Sequence, residues 1–293
     1  MRVFITGGTG LIGSAVIAEL ITAGHSVTAL TRSEASAAKA QAAGAETATG
    51  TLTDFDVLRE QATGADGVIH LAFGNDFSSP EALAANISDE TAALETLGDA
   101  LLGTGKPLVV VSATPQAEGR PSTEDDPLPA FGPVAGRSIT VDKILALADR
   151  GIRTSSIRLP RTVHHNGDGG FAGLLTQIAR QTGVAGYPGS GAQRWPAVHV
   201  RDAAVLFRLA LENAPGGTAW HAVADEGDSV KDIMTVVGRQ LRLPVAEVPA
   251  GNFGPLGVIF MADQPASSAR TRAESGWQPK HPSLLADLEN IQA

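Results

Sequence analysis

Three glycines in a fixed rhythm, Gly7, Gly10 and Gly13, stand directly behind the run Arg2-Val3-Phe4-Ile5-Thr6. A short β-branched and aromatic run of that kind suits a buried first strand. An apolar helical pattern over residues 14–22 follows at once, so Thr6-Gly7-Gly8-Thr9-Gly10-Leu11-Ile12-Gly13 reads as a strand-to-helix turn. Glycine there permits the tight turn, clears side chains from the path of a pyrophosphate, and lets helix and strand pack closely. The helix N-terminus adds unpaired N–H groups and the positive end of a dipole, which suit phosphate. Thr6, Gly7, Thr9, Gly10, Leu11, Ile12 and Gly13 are therefore candidate dinucleotide contacts.

A turn of this type calls for alternating strands and helices behind it. Residues 25–31, 45–49, 66–73, 107–112 and 152–159 are β-branched or apolar runs, with helical patterns at 35–43, 54–63, 81–102 and 134–150 between them. The continuously apolar run at 107–112 suits a central parallel strand. The expected fold is α/β: a Rossmann-type doubly wound parallel sheet over residues 1–160, then a smaller, mainly substrate-binding C-terminal lobe over 161–293, some of whose segments return to the Rossmann core. With 293 residues, 43% hydrophobic and 18% charged, the chain can bury such a core.

A net charge of −9 without a run of like charge disfavours nucleic acid and an anionic membrane as partners. No apolar stretch approaches ~18 residues and no signal-peptide pattern opens the chain, which predicts a cytoplasmic protein. The absence of cysteine excludes disulfides, thiolate metal sites and a cysteine nucleophile. Monomer and homodimer both stay open.

The second strand ends in Leu30-Thr31-Arg32-Ser33, where an adenosine ribose would lie. Sites that prefer NAD hold the 2′-hydroxyl with Asp or Glu; a cation and a hydroxyl suit a 2′-phosphate instead. Arg32 and Ser33 thus predict NADP(H), with Arg32 as an ordinary exposed charge the alternative. Asp54 fits a helix cap better than a ligand contact, and His70, inside an apolar strand, fits the core better than acid–base work.

In this context TGxxGxxG resembles the short-chain dehydrogenase/reductase superfamily, and more closely its extended, epimerase-like branch. Gly50-Thr51-Leu52-Thr53-Asp54 is similar to the family's Gly-Asp-Leu-x-Asp segment, with Thr51 where the first Asp is usual, and implies Leu52 as the adenine contact. DGVIHLAF, residues 66–73, resembles D-x-V-[IV]-H-x-A-[AG] and implies Leu71, Ala72 and Phe73 along the cofactor. Ser112-Ala113-Thr114 stands where the family keeps its catalytic hydroxyl, so Ser112 and Thr114 are both candidates. Residues 160–171 resemble the R-P-x-x-V-[YH]-G loop by the nicotinamide, implying Pro160 and Val163 as cofactor contacts and His164 or His165 as proton donor, with at most one pointing inward. That pair, with only Asp168 beside it, lacks a third ligand at metal spacing, so no metal is expected. Residues 187–202 resemble G-x-G-x-x-R…V-H-V-x-D, with Arg194 displaced by one residue, His199 as packing and Asp202 as a helix cap. Ser275-Gly276-Trp277-Gln278-Pro279 matches the ending S-G-W-x-P, so the likeness covers essentially the whole chain.

One part of the pattern fails. The family's acid is a tyrosine followed four residues later by lysine, which lowers the tyrosine pKa. The only tyrosine here is Tyr187, and the relevant helix offers either Val134/Ser138 or Ile139/Lys143. Hydride transfer needs no tyrosine, but a missing proton donor costs about 10²–10⁴-fold unless replaced. Ser112, Thr114, a histidine such as His164, Arg137 as an electrostatic stabiliser, water, or an acidic group on the substrate are the replacements. Phe73, Phe77, Phe171, Tyr187 and Trp195 either line an aromatic substrate pocket or belong to the core. The chain is thus similar to the tyrosine-lacking ketoreductases of aromatic polyketide tailoring, in antibiotic biosynthesis. That likeness implies NADPH-dependent reduction of a ketone on an apolar small molecule. Reduction of an imine or enone, and NADP(H) sensing without turnover, are the alternatives.

Overall fold

The computed structural model describes residues 1–291. Strands β1 (Arg2–Thr6), β2 (Ser26–Thr31), β3 (Glu46–Thr49), β4 (Gly67–His70), β5 (Pro107–Ala113) and β6 (Arg153–Leu159) alternate with helices. These are α1 (Leu11–Thr22), α2 (Glu34–Ala42), α3 (Phe55–Gly64), α4 (Pro80–Leu101) and α5 (Ala135–Ala146). Next come β7 (Thr162–His164), α6 (Gly170–Thr182), β8 (Ala185–Pro188), β9 (Arg194–His199), α7 (Val200–Asn213) and β10 (Thr218–His221). The chain closes with β11 (Asp225–Ser229), α8 (Val230–Leu241), β12 (Val245–Val248), α9 (Gly257–Phe260), α10 (Ala269–Ser275) and α11 (Leu284–Leu288).

The central parallel sheet has seven strands in the order β10-β6-β5-β4-β1-β2-β3. Because β1 pairs in parallel with both β2 and β4, the direction of winding reverses beside β1. Ligands of open α/β sheets lie beyond the carboxyl ends of the strands at such a point, and the glycine turn leaves β1 there. Two compact units form. The first comprises Met1–Ser112, Leu128–Arg158 and Ala204–Trp220; the second comprises Ala113–Pro127, Leu159–Ala203 and the chain from His221 onward. Phe4, Leu58, Val68, Leu97 and Leu108 centre a core in the first unit. Trp195, Ile233, Met234, Phe260 and Leu284 centre that of the second, around the small sheets β11-β9-β7 and β12-β8.

Local chemistry moves several expected boundaries. Helix α1 starts at Leu11 rather than at 14, because Gly7 O already accepts Gly10 N–H at 3.2 Å and Gly10 O accepts Ser14 N–H at 2.9 Å. Strand β4 ends at His70, three residues early: Ala72 N–H turns to Thr6 Oγ1 at 3.3 Å instead of joining a ladder. Asp54 precedes α3 without capping it by its side chain, which accepts the Thr51 N–H (2.6 Å) and hydroxyl (2.7 Å). The expected cap role of Asp202 is overturned. It lies inside the first turn of α7, and its buried carboxylate accepts Lys280 N–H (2.9 Å) and His281 N–H (3.0 Å), with His281 Nδ1 at 2.8 Å.

Candidate functional site

A cavity of about 580 Å³ opens at the carboxyl ends of β1, β2 and β4 in the first unit, within the range typical of ligand sites. Gly7, Thr9 and Gly10 of the turn line it, as do Arg32 and Ser36 beside β2 and α2. Thr51, Leu52 and Thr53 add a third wall, and Leu71, Ala72 and Phe73 a fourth. Thus Gly7, Thr9, Gly10, Arg32, Leu52, Leu71, Ala72 and Phe73, all singled out from the sequence, gather around one space.

The other expected contacts hold the walls. Gly7 has φ +72°, and a Cβ on it would lie 2.7 Å from Ala72 N, so only glycine lets the end of β1 touch the end of β4. A Cβ on Gly13 would lie 2.1 Å from Gly7 O. Gly10 is freer, with Gly7 O at 3.6 Å from such a Cβ, and leaves its face open to the cavity. Leu11 is exposed and Ile12 half-buried on α1. Neither a side-chain cap nor an acidic residue neutralises the first turn of α1, so its N–H groups fit a phosphate. Thr6 is fully buried, its Oγ1 2.9 Å from His70 Nδ1. Ser33 is occupied in capping α2, its Oγ accepting Ser36 N–H at 3.2 Å while Ser36 Oγ accepts Ser33 N–H at 3.0 Å. Ser36 takes the place on the cavity wall that Ser33 was expected to fill.

Around Phe73 the wall carries a charge pair with no local sequence signature. Arg137 of α5 lies 4.1 Å over the Phe73 ring and forks onto buried Glu90 of α4, with Nε and Nη2 each donating at 2.7 Å. Burial pushes the Glu90 carboxyl up while Arg137 pulls it down. His70, 1% exposed, is driven down to about 3 by burial and by the Arg137 charge, so it is neutral. Of the two registers that the family pattern leaves open, Ile139 and Lys143 are both exposed on α5; in the other, Ser138 is buried and Val134, just before α5, is exposed. Ser112 Oγ lies 2.8 Å from Ser156 Oγ on β6. Phe77 is 66% exposed, on a loop pinned to α4 by Asn86 Nδ2, which donates to Asp76 O at 2.7 Å.

In the second unit Thr114 is buried with its hydroxyl unpartnered among the described residues. Pro160 and Val163 are buried. His164, 1% exposed, is held by Asp287, Nδ1 to Oδ2 2.9 Å, while half-buried His165 meets His199, Nδ1 to Nε2 3.2 Å. His199 stacks on His281 at 4.7 Å and is lowered to about 4 by burial and the neighbouring histidines. No three His, Asp or Glu side chains among the described residues form a metal-holding group. Trp195 is 0% exposed and packs on Phe171 and Phe260 at 5.9 and 5.6 Å, which assigns it to the core rather than to a pocket wall. Phe171 and Tyr187 are half-buried against that same core. Arg194 forks onto Asp263, Nη2 to Oδ2 2.8 Å, and is spent there.

The model of the NAD dependent epimerase/dehydratase family matches residues 3–222. An uncharacterized protein of Schizosaccharomyces pombe is 41% identical over 98% of this chain and 98% of its own. A 4-hydroxy-2-methyl-3-oxo-4-farnesyl-3,4-dihydroquinoline-1-oxide ketoreductase of Stigmatella aurantiaca is 29% identical over 81% of this chain and 72% of its own. Among solved structures, the UDP-glucose 4-epimerase of Thermotoga maritima with UDP-glucose is similar in fold, with a TM-score of 0.80 over 99% of this chain and 97% of that one at 18% identity. The chain belongs to the NAD dependent epimerase/dehydratase family, the extended branch of the short-chain dehydrogenase/reductases, as an atypical member without tyrosine on α5.

Proposed function

We propose that this protein catalyses NADPH-dependent reduction of a ketone on an apolar, aromatic small molecule, a polyketide-type ketoreductase reaction run without the Tyr/Lys pair. One observation carries the reading: a single cavity lined by the Arg32 guanidinium on one wall and by Phe73, backed by the Arg137–Glu90 pair, on another. The Stigmatella relative, a ketoreductase by name, supports the reaction class.

In this reading the cofactor, when bound, supplies the hydride. Gly7, Thr9, Gly10 and the N-terminus of α1 hold its pyrophosphate, Arg32 its 2′-phosphate, and Leu52 its adenine. Leu71, Ala72 and Phe73 flank the nicotinamide end, and the loop motif supports Pro160 and Val163 as further contacts. Arg137, paired with Glu90, acts as an electrostatic stabiliser through the N–H donors that Glu90 leaves open, and Ser112, tethered to Ser156, bonds the carbonyl oxygen. Thr114 and His164 are the other proposed donors. A phenol beside the ketone would stabilise its own alkoxide and offset the missing tyrosine.

Loss of that tyrosine also favours a second reading, NADP(H) sensing without turnover. NADPH oxidation by the purified protein against polycyclic ketones with and without a neighbouring phenol, with NADH in parallel, separates the two. Turnover confined to phenol-bearing ketones and far faster with NADPH is expected. Tight NADPH binding with no consumption across the panel would transfer the conclusion to the sensor.

A further inference from the structure

Arg161, between β6 and β7 in the second unit, is a cation with no carboxylate partner among the described residues. The carboxylate-paired arginines elsewhere include Arg2 with Asp66, Arg120 with Asp126, Arg137 with Glu90 and Arg194 with Asp263. Arg161 instead donates from Nη1 to the carbonyl of Ile259 at 2.9 Å, and its buried Nε has no hydrogen-bond partner among the described residues. Its guanidinium lies 5.4 Å over the Phe171 ring and 5.7 Å over Trp195. Burial lowers its pKa to about 10, still far above neutrality, so the charge is kept. Desolvating a charge without a counter-ion is costly, and cation–π contact offsets only a part of it.

The surroundings say what kind of anion fits. Val258, Ile259 and Met261 are exposed apolar side chains on and just after α9, 81%, 39% and 44% accessible, and Ile259 is the residue whose carbonyl Arg161 grips. One guanidinium with free donors matches one planar carboxylate in a forked geometry. A dianionic phosphate calls for more than a single cation, and Arg194, one residue before Trp195 in sequence, is neutralised by Asp263.

We propose that Arg161 is the anchor of a carboxylate-binding subsite in the second unit, taking a ligand with an aromatic or apolar body that packs on Val258, Ile259 and Met261. The subsite belongs to the second unit alone and does not rest on the ketoreductase reading.

The test is isothermal titration of the full-length protein, with and without NADPH, by 2-naphthoate, with neutral 2-naphthamide and phenyl phosphate as comparison probes. 2-Naphthoate should bind, at least about tenfold more tightly than the amide and more tightly than phenyl phosphate. Arg161→Gln should abolish that preference without lowering Tm, since it removes an uncompensated charge, and Arg161→Lys should recover part of it. Equal binding of acid and amide, phosphate preferred over carboxylate, or an unchanged preference in Arg161→Gln would each overturn the proposal.

Discussion

Arg32 is exposed at the end of β2 and lines the cavity without a partner in the core, so replacing it tests binding and not folding. A charge-assisted hydrogen bond contributes about 1.5–3 kcal/mol, roughly a 10- to 100-fold change in affinity. Arg32→Ala should weaken NADPH by that factor and leave NADH within about twofold, read by fluorescence titration of each reduced nucleotide. An equal loss for both would make Arg32 a general contact and remove the basis for NADP(H). Arg137 invites a different measurement. Its head is fixed by two 2.7 Å bonds to Glu90 and by the Phe73 ring, so the N–H donors that Glu90 leaves open are pre-organised to meet developing negative charge. Arg137→Met should lower kcat by about 100-fold while the Kd of NADPH stays unchanged; an unaffected kcat would confine the residue to structure.

Among the elements, the turn from β1 into α1 is the one whose sequence is most tightly tied to its shape. Gly13→Ala would put a methyl 2.1 Å from the Gly7 carbonyl, an overpacking that backbone cannot relieve by rotating a side chain. A loss of about 1–3 kcal/mol in urea unfolding is expected, together with NADPH affinity, whereas Gly64→Ala, with open space around it in α3, should lose neither. This turn and the alternation of β1 to β6 were legible because both are local: a glycine spacing, and an apolar run every few tens of residues. The partners of the site residues were not. Glu90 reaches Arg137 across 47 positions, Asp287 reaches His164 across 123, and Asp202 reaches His281 across 79. No periodicity encodes such pairs, which is why Asp202 read as a helix cap when its carboxylate ties down the chain before α11. Strands β7, β9 and β11 escaped for the same reason, being short segments that become strands only by pairing with one another.

Across the molecule, each unit buries a neutral histidine, and each contributes to how the chain responds to acid. His70 in the first unit is lowered to about 3, and His199 in the second, 4% exposed, to about 4. Unfolded, each titrates near 6.5. The folded pKa being the lower one, the unfolded chain binds the extra proton first. The stabilisation is therefore complete above about pH 6.5 and is lost as pH falls towards each folded value. Carboxylates overlap with this. Asp228, raised to about 6 by burial and by Asp225 and Asp232, has the opposite sign between pH 6 and the ordinary aspartate value, while Asp66, held down to about 2 by Arg2, adds acid loss only below that value. The total curve mixes these signs, but single variants separate them. His70→Asn retains a hydrogen-bonding group for Thr6 and cannot take up a proton, and His199→Gln is likewise blind to pH. In urea unfolding at pH 7.5, 6.0 and 5.0, the free-energy gap between wild type and either variant should shrink on acidification, with a slope approaching about 1.4 kcal/mol per pH unit below pH 6. A gap that stays constant from pH 7.5 to 5.0 would mean that the imidazole is as easily protonated folded as unfolded, and that its burial does not exclude charge.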